Sequence, residues 1–240
     1  MTARLRLEYD GTEFAGWATQ PGLRTIQETV EGAIATVLRT EAPLTVAGRT
    51  DRGVHARGQV ASHEGKPAPT RNLNALLPAD VAVLASEEAP DGFDARRDAL
   101  SRTYRYRVHT RTAPSPFERT RALWWPRPLD RDALDACAAA LLGTHDFTAF
   151  TPTDTDHVRF ERDVLRAEWV EEPGEVLAFW IEADTFMRHM VRILVGRCSR
   201  GCRRSASPSC SRAGRAAPRG RLRRRTGFTS RASHTLEPRQ

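Results

Sequence analysis

The stretch Ala47-Gly48-Arg49-Thr50-Asp51-Arg52-Gly53-Val54-His55-Ala56 sets one carboxylate between two arginines in a glycine-bounded loop. Pro43 to Ala47 before it and Gln59 to His63 after it alternate or run apolar as strands do, so a sheet holds the loop at both ends. With Arg49 and Arg52 close in sequence, Asp51 is expected to stay ionised near neutral pH. A permanently ionised carboxylate suits a nucleophile better than a general acid. The same residues, taken alone, also fit a polar turn with a solvated ion pair of little energetic weight.

The remaining body mixes strand and helix periods. Arg4 to Asp10 alternates apolar and polar residues and ends at Asp10-Gly11, a strand followed by a turn. Thr25 with Glu28 three residues on is a capping box, and Val30, Ala33, Ile34 and Val37 then fall at i, i+3, i+4 and i+7, one buried helical stripe. A second helix fits Leu129 to Leu142, with Leu129, Ala133, Leu134, Cys137 and Leu141 as its apolar face. Leu165 to Glu171 and Val176 to Glu182, separated by Glu172-Pro173-Gly174-Glu175, make a hairpin whose strands feed a further helix, Phe186 to Leu194. The pattern predicts an α+β chain with a largely antiparallel sheet.

Length allows two small domains and a sizeable core. No apolar run approaches the roughly 20 residues that cross a bilayer, and Met1 to Leu7 lacks the apolar region of a signal peptide, so a cytoplasmic protein without membrane association is expected. Cys137, within a helical apolar face, reads as a small buried hydrophobe. The net charge of +7 comes from 37 basic and 30 acidic residues, but 13 of those arginines and only Glu237 follow Gly196, which leaves 24 basic and 29 acidic residues, a body of −5. Global basicity is therefore no evidence of nucleic-acid binding. Arg102, Arg105, Arg107 and Arg111 alternate along one strand-like segment. They either concentrate positive charge on one face or form an ordinary solvated sheet surface.

Gly48 to Ala56, followed by Gly58-Gln59-Val60, resembles the signature loop of the bacterial tRNA pseudouridine synthase A family. Other segments fall in that family's order: Tyr9-Asp10-Gly11-Thr12 with Phe14, Gly16-Trp17 and Gln20; Thr25-Ile26-Gln27-Glu28; Leu73-Asn74 through Leu77-Pro78; Phe93-Asp94-Ala95-Arg96; Tyr104-Arg105-Tyr106; Gly143 to Phe147; and Phe186 to Arg192. The resemblance covers about residues 1 to 196. It implies the pseudouridine synthase fold, two α/β halves (residues 1–105 and 106–196) with a largely antiparallel sheet and an RNA cleft between them. It further implies a homodimer acting on the tRNA anticodon stem-loop, with no cofactor and no metal. Asp51 matches the nucleophile, Tyr104 the active-site tyrosine that stacks on the base or helps remove its C5 proton, and Arg192 the arginine that pairs with Asp51. Arg49, Arg52, Tyr104, Arg105 and Arg107 are expected to bind RNA. The second reading, which follows if the altered C-terminus has destroyed the pocket, is a noncatalytic tRNA-binding protein or tRNA chaperone on the same scaffold.

From Gly196 the composition changes abruptly to Arg, Ser, Gly, Ala, Pro and three cysteines, with Leu222, Phe228 and Leu236 as the large apolar residues. Such a segment has no periodic apolar face and is expected to be disordered. Read from the third base of suitably chosen codons, it can encode an amphipathic helical pattern from Arg197 and an alternating strand from Thr226, so a shifted reading frame over 197–240 is expected. The rival readings are a native arginine-rich arm that attracts phosphate and a metal site at Cys198, Cys202 and Cys210, whose spacing fits the common zinc patterns poorly.

Overall fold

The computed structural model describes residues 1–151 and 158–201, without the side chains of 199–201. The expectations placed on residues 202–240, including a site at Cys202 and Cys210, lie outside the described residues. The chain divides into two compact units, Met1–Thr103 and the described residues from Tyr104 on.

In the first unit, β1 (Thr2–Tyr9), β2 (Thr45–Val46), β3 (Ala56–Glu64) and β4 (Val81–Ala89) form an antiparallel sheet in the order β2-β3-β1-β4. Alternation along β1 turns Leu5, Leu7 and Tyr9 inward. They pack with Ile26, Val30 and Ile34 of α1 (Ile26–Leu38) and Leu73 of α2 (Thr70–Leu76). The helical stripe falls on the core as its period predicts, with Val37 at its partly buried margin. The capping box does not form. Thr25 is the extended residue before α1, but its hydroxyl makes no bond to the helix backbone and lies 3.5 Å from Glu28 Oε2. Asn74 ties α2 to the sheet by donating to Val83 O and accepting from Val83 N, at 2.9 and 2.8 Å.

The second unit carries a five-stranded sheet, in the order β6-β5-β9-β8-β7. Its strands are β5 (Arg102–His109), β6 (Leu123–Trp124), β7 (Gly143–Asp146), β8 (Glu161–Glu172) and β9 (Val176–Ala183). β7, β8 and β9 pair antiparallel, and β6 joins β5 in parallel. α3 (Arg131–Ala139) and α4 (Met190–Gly201) pack on the sheet around Leu134, Trp169, Phe179, Ile181, Met190 and Leu194. The predicted hairpin turn is present, with Gly174 and Glu175 left-handed at φ +82° and +58°. α4 differs from expectation at both ends. His189, at φ +61°, keeps Phe186 to His189 out of the helix, and the helix passes Gly196 to reach Gly201. α3 starts at Arg131 because Asp130 caps it, accepting from Ala133 N at 3.0 Å.

Among the described residues, no helix is long and apolar enough to cross a membrane.

Candidate active site

Asp51 sits on the loop between β2 and β3, and the segment after β1 grips that loop backbone to backbone. Trp17 N donates to Thr50 O at 2.9 Å, Gly53 N donates to Phe14 O at 3.3 Å, and Gly16 bridges Asp51. The approach requires glycine twice. A Cβ on Gly11 would lie 1.9 Å from Val54 O, and one on Gly16, whose φ is +118°, would lie 2.9 Å from Thr50 O. Inside the loop, Val54 N donates to Asp51 O at 3.1 Å and closes a tight turn around Gly53. The result is a half-buried carboxylate flanked by two exposed arginines, Arg49 and Arg52.

Three sets of side chains brace this backbone. Tyr9 Oη lies 2.8 Å from Thr50 Oγ1, and Gln59 Nε2 donates to Tyr9 Oη at 3.2 Å and to Gly48 O at 2.8 Å. Burial pushes the Tyr9 phenol up to about 12, against the lowering effect of its bonds to Thr50 and Gln59. His55, itself buried, brings Nδ1 to 3.0 Å from Asp10 Oδ1 and 3.2 Å from Gly11 N. These two contacts are alternatives, since Nδ1 donates to Asp10 only when protonated and accepts from Gly11 only when not. Arg102 directs its guanidinium at backbone oxygens: two bonds to Ala47 O at 3.0 and 2.8 Å, one to Ala99 O at 3.0 Å and one to Arg96 O at 2.8 Å. Hydrogen bonds to a charged donor contribute roughly 1.5–3 kcal/mol each, so the start of the loop is firmly fixed.

The other predicted residues lie in the second unit. Tyr104 and Tyr106 share one face of β5, against the core. The Tyr104 ring meets Phe186 edge-on, with centroids 4.8 Å apart and planes at 84°. Tyr106 is buried, which raises its phenol to about 12, and the charge of Arg192 works the other way. Arg192 is half-buried on α4.

Arg105 and Arg107 occupy the opposite face of β5 from Tyr104, so the strand does not present these three as one RNA surface. Arg105 pairs in two-pronged fashion with Glu172 and lies over the Trp180 ring at 5.4 Å. Arg107 bridges Glu172, at 3.2 Å, and Glu118. The expected stripe is thus divided: Arg102 is three residues from Arg105, an odd step, and is buried among carbonyls. Arg105 and Arg107 are neutralised by glutamates, while Arg111, exposed beyond the strand, donates to the carbonyls of Ala113 and Pro114.

Sequence reasoning overlooked Tyr9, Gln59 and Arg102 as parts of this site. Gln59 is a fully buried amide opposite Leu7, two positions before the buried Ala61 on the same strand face. Among the described residues, no group of three or more His, Cys, Asp or Glu side chains converges as metal ligands do.

A carboxylate on a pinned loop between two exposed arginines is equipment for covalent chemistry on an anionic substrate. A family model described as tRNA pseudouridine synthase matches residues 137–219. The chain is 48% identical over 203 residues to tRNA pseudouridine synthase A of Frankia casuarinae, covering 80% of this chain and 73% of that protein. It is 44% identical over 207 residues to the protein of the same name from Streptomyces griseus, covering 80% and 72%. It is 38% identical over 204 residues to that of Bacillus pumilus, covering 82% of each. At these identities and spans the chain belongs to the tRNA pseudouridine synthase A family.

Proposed function

We propose that this chain isomerises uridine in the anticodon stem-loop of tRNA, with Asp51 as nucleophile. Membership of the family makes it a pseudouridine-forming enzyme that acts on tRNA. Substrate and product are isomers: the bond from ribose C1′ to N1 breaks, C5 bonds to C1′, C5 loses its proton and N1 gains one. Nothing is oxidised or reduced, so the balance asks for no cofactor. The target base must first leave its stack, at a cost of roughly a few kcal/mol. Asp51 then attacks ribose C1′ or the base, Tyr104 stacks on the base or helps remove the C5 proton, and Arg192 pairs with Asp51 and orients it. Arg49 and Arg52, exposed beside the carboxylate, meet phosphate. Arg105 and Arg107 reach phosphate only by leaving Glu172 and Glu118, and contribute less.

The observation that carries this reading is the pinned loop, which presents Asp51 half-buried between two exposed cations. Asp51→Asn or Asp51→Ala should abolish pseudouridine formation in an anticodon stem-loop and leave tRNA affinity within about tenfold, since a nucleophile acts on the chemical step. Turnover by either variant would remove the assignment.

The enzyme works in the cytoplasm as a homodimer, in which one tRNA touches both subunits. The support is electrostatic: a body of −5 needs a composite basic surface to hold a polyanion. A monomer by light scattering, active at the same concentration, would exclude this.

Residues 197–240 are read as the product of a shifted frame. Each of the three relatives covers 80–82% of the chain, and 80% of 240 residues is about 192, close to the 196-residue body. The family model, by contrast, runs on to residue 219, past the expected break. The gene sequence across codons 190 to 200 decides between them.

A further inference from the structure

Thr50, the residue before the nucleophile, is held at both of its oxygens. Its carbonyl accepts from Trp17 N, and its hydroxyl meets Tyr9 Oη. The direction of the side-chain relay follows from donor chemistry. Gly48 O can only accept, so the Gln59 amide must turn its NH2 group toward it. That NH2 also donates to Tyr9 Oη, which leaves the phenol proton for Thr50 Oγ1. Gln59, Tyr9 and Thr50 are 0%, 4% and 6% exposed, so water does not compete for these bonds.

The relay comes at a cost that packing alone does not explain. Gln59 Oε1 is buried without a hydrogen-bond partner among the described residues, which leaves its desolvation uncompensated. An apolar residue of similar size opposite Leu7 would avoid it. A buried polar group kept at a loss, whose amide braces the loop at Gly48 and, through Tyr9, at Thr50, marks a precise geometric requirement.

We propose that Tyr9 and Gln59 are positioning residues, which act through the Thr50 hydroxyl to hold Asp51 in its attacking orientation. The inference rests on Asp51 being the nucleophile. With the carbonyl and the hydroxyl of residue 50 both fixed, the backbone entering Asp51 cannot swing. Displacing a reacting group by about 1 Å costs on the order of a hundredfold in rate.

The test measures kcat and KM on tRNA for Tyr9→Phe, Thr50→Val, Thr50→Ser and the Tyr9→Phe/Thr50→Val double variant, with melting curves in parallel. Tyr9→Phe and Thr50→Val should each lower kcat about tenfold or more and leave KM within about twofold. Thr50→Ser, which keeps the hydroxyl, should stay within about threefold of the parent. The double variant should be no slower than its slower parent by more than about threefold, because both changes break one relay. If Tyr9→Phe does not fold, the Thr50→Val and Thr50→Ser pair carries the comparison. Parental kcat in both single variants, a loss confined to KM, or multiplying losses in the double variant would each overturn the proposal. Asp51→Asn is run beside them. If it is inactive while the relay variants are normal, the relay alone is wrong; if it turns over, the nucleophile assignment falls and this inference with it.

Discussion

Gly11 and Val54 meet backbone to backbone, so closely that a side chain on Gly11 would begin 1.9 Å from the Val54 carbonyl oxygen. No rotamer change relieves that contact, because both partners are main chain. Gly53 is different: a Cβ there meets nothing within 4 Å, and only its φ of +74° opposes substitution. Gly53→Ala should therefore cost about 1–2 kcal/mol, and Gly11→Ala clearly more, with a steeper loss of turnover as the loop shifts. Urea melts and tRNA turnover of the two variants check the order, and equal effects would show that the loop moves freely.

The two buried phenols define an alkaline limit. Tyr9 and Tyr106 ionise near 12 in the fold against 10.0 for an exposed tyrosine. A folded value raised above the unfolded one gives stability that is complete below pH 10 and is lost as pH rises toward 12. Each phenol should remove roughly 2–3 kcal/mol across that window. Denaturant melts between pH 9 and 12 should fall accordingly, and Tyr9→Phe should flatten part of the slope.

Salt dependence would separate the arginines proposed to meet RNA from those that brace the protein. Arg49→Ala and Arg52→Ala should each reduce the slope of log affinity against log salt by about one and leave the melting temperature nearly unchanged. Arg105→Ala should do the reverse, because it removes the two-pronged partner of Glu172, which is only 13% exposed and keeps just the 3.2 Å contact with Arg107. A large drop in salt slope for Arg105→Ala would place it on phosphate instead.

Frame restoration after codon 196 is a fourth expectation. Replacing 197–240 by the third-base reading removes most of 13 arginines, so nonspecific RNA attraction should weaken and lose salt sensitivity while turnover rises. Equal turnover and equal salt slope in both versions would mark the arginine-rich arm as native.

What could be read from the sequence was what local periodicity or turn chemistry writes down. The α1 stripe at 30, 33 and 34 and the Pro173-Gly174 turn each rest on neighbours in the chain, and both appear where expected. The α4 start was misplaced because nothing local announces a left-handed His189. The arginine stripe was misread by one step of parity, since residues 102 and 105 cannot share a strand face. Asp51 stood out because its loop has a recognisable pattern. Tyr9, Gln59 and Arg102 did not, because their roles depend on partners 41, 50 and 55 positions away.

Arg102, Arg105 and Arg107 commit their charge to the protein's own carbonyls and glutamates, and this bears on how the enzyme lets go. A tRNA has the same phosphates before and after uridine becomes pseudouridine, so electrostatic grip cannot tell product from substrate. Any surplus of outward positive charge would hasten capture and delay departure through the same contacts. Keeping these three cations occupied would leave discrimination to contacts with the base itself, where the isomers differ, and would shorten the hold on finished molecules.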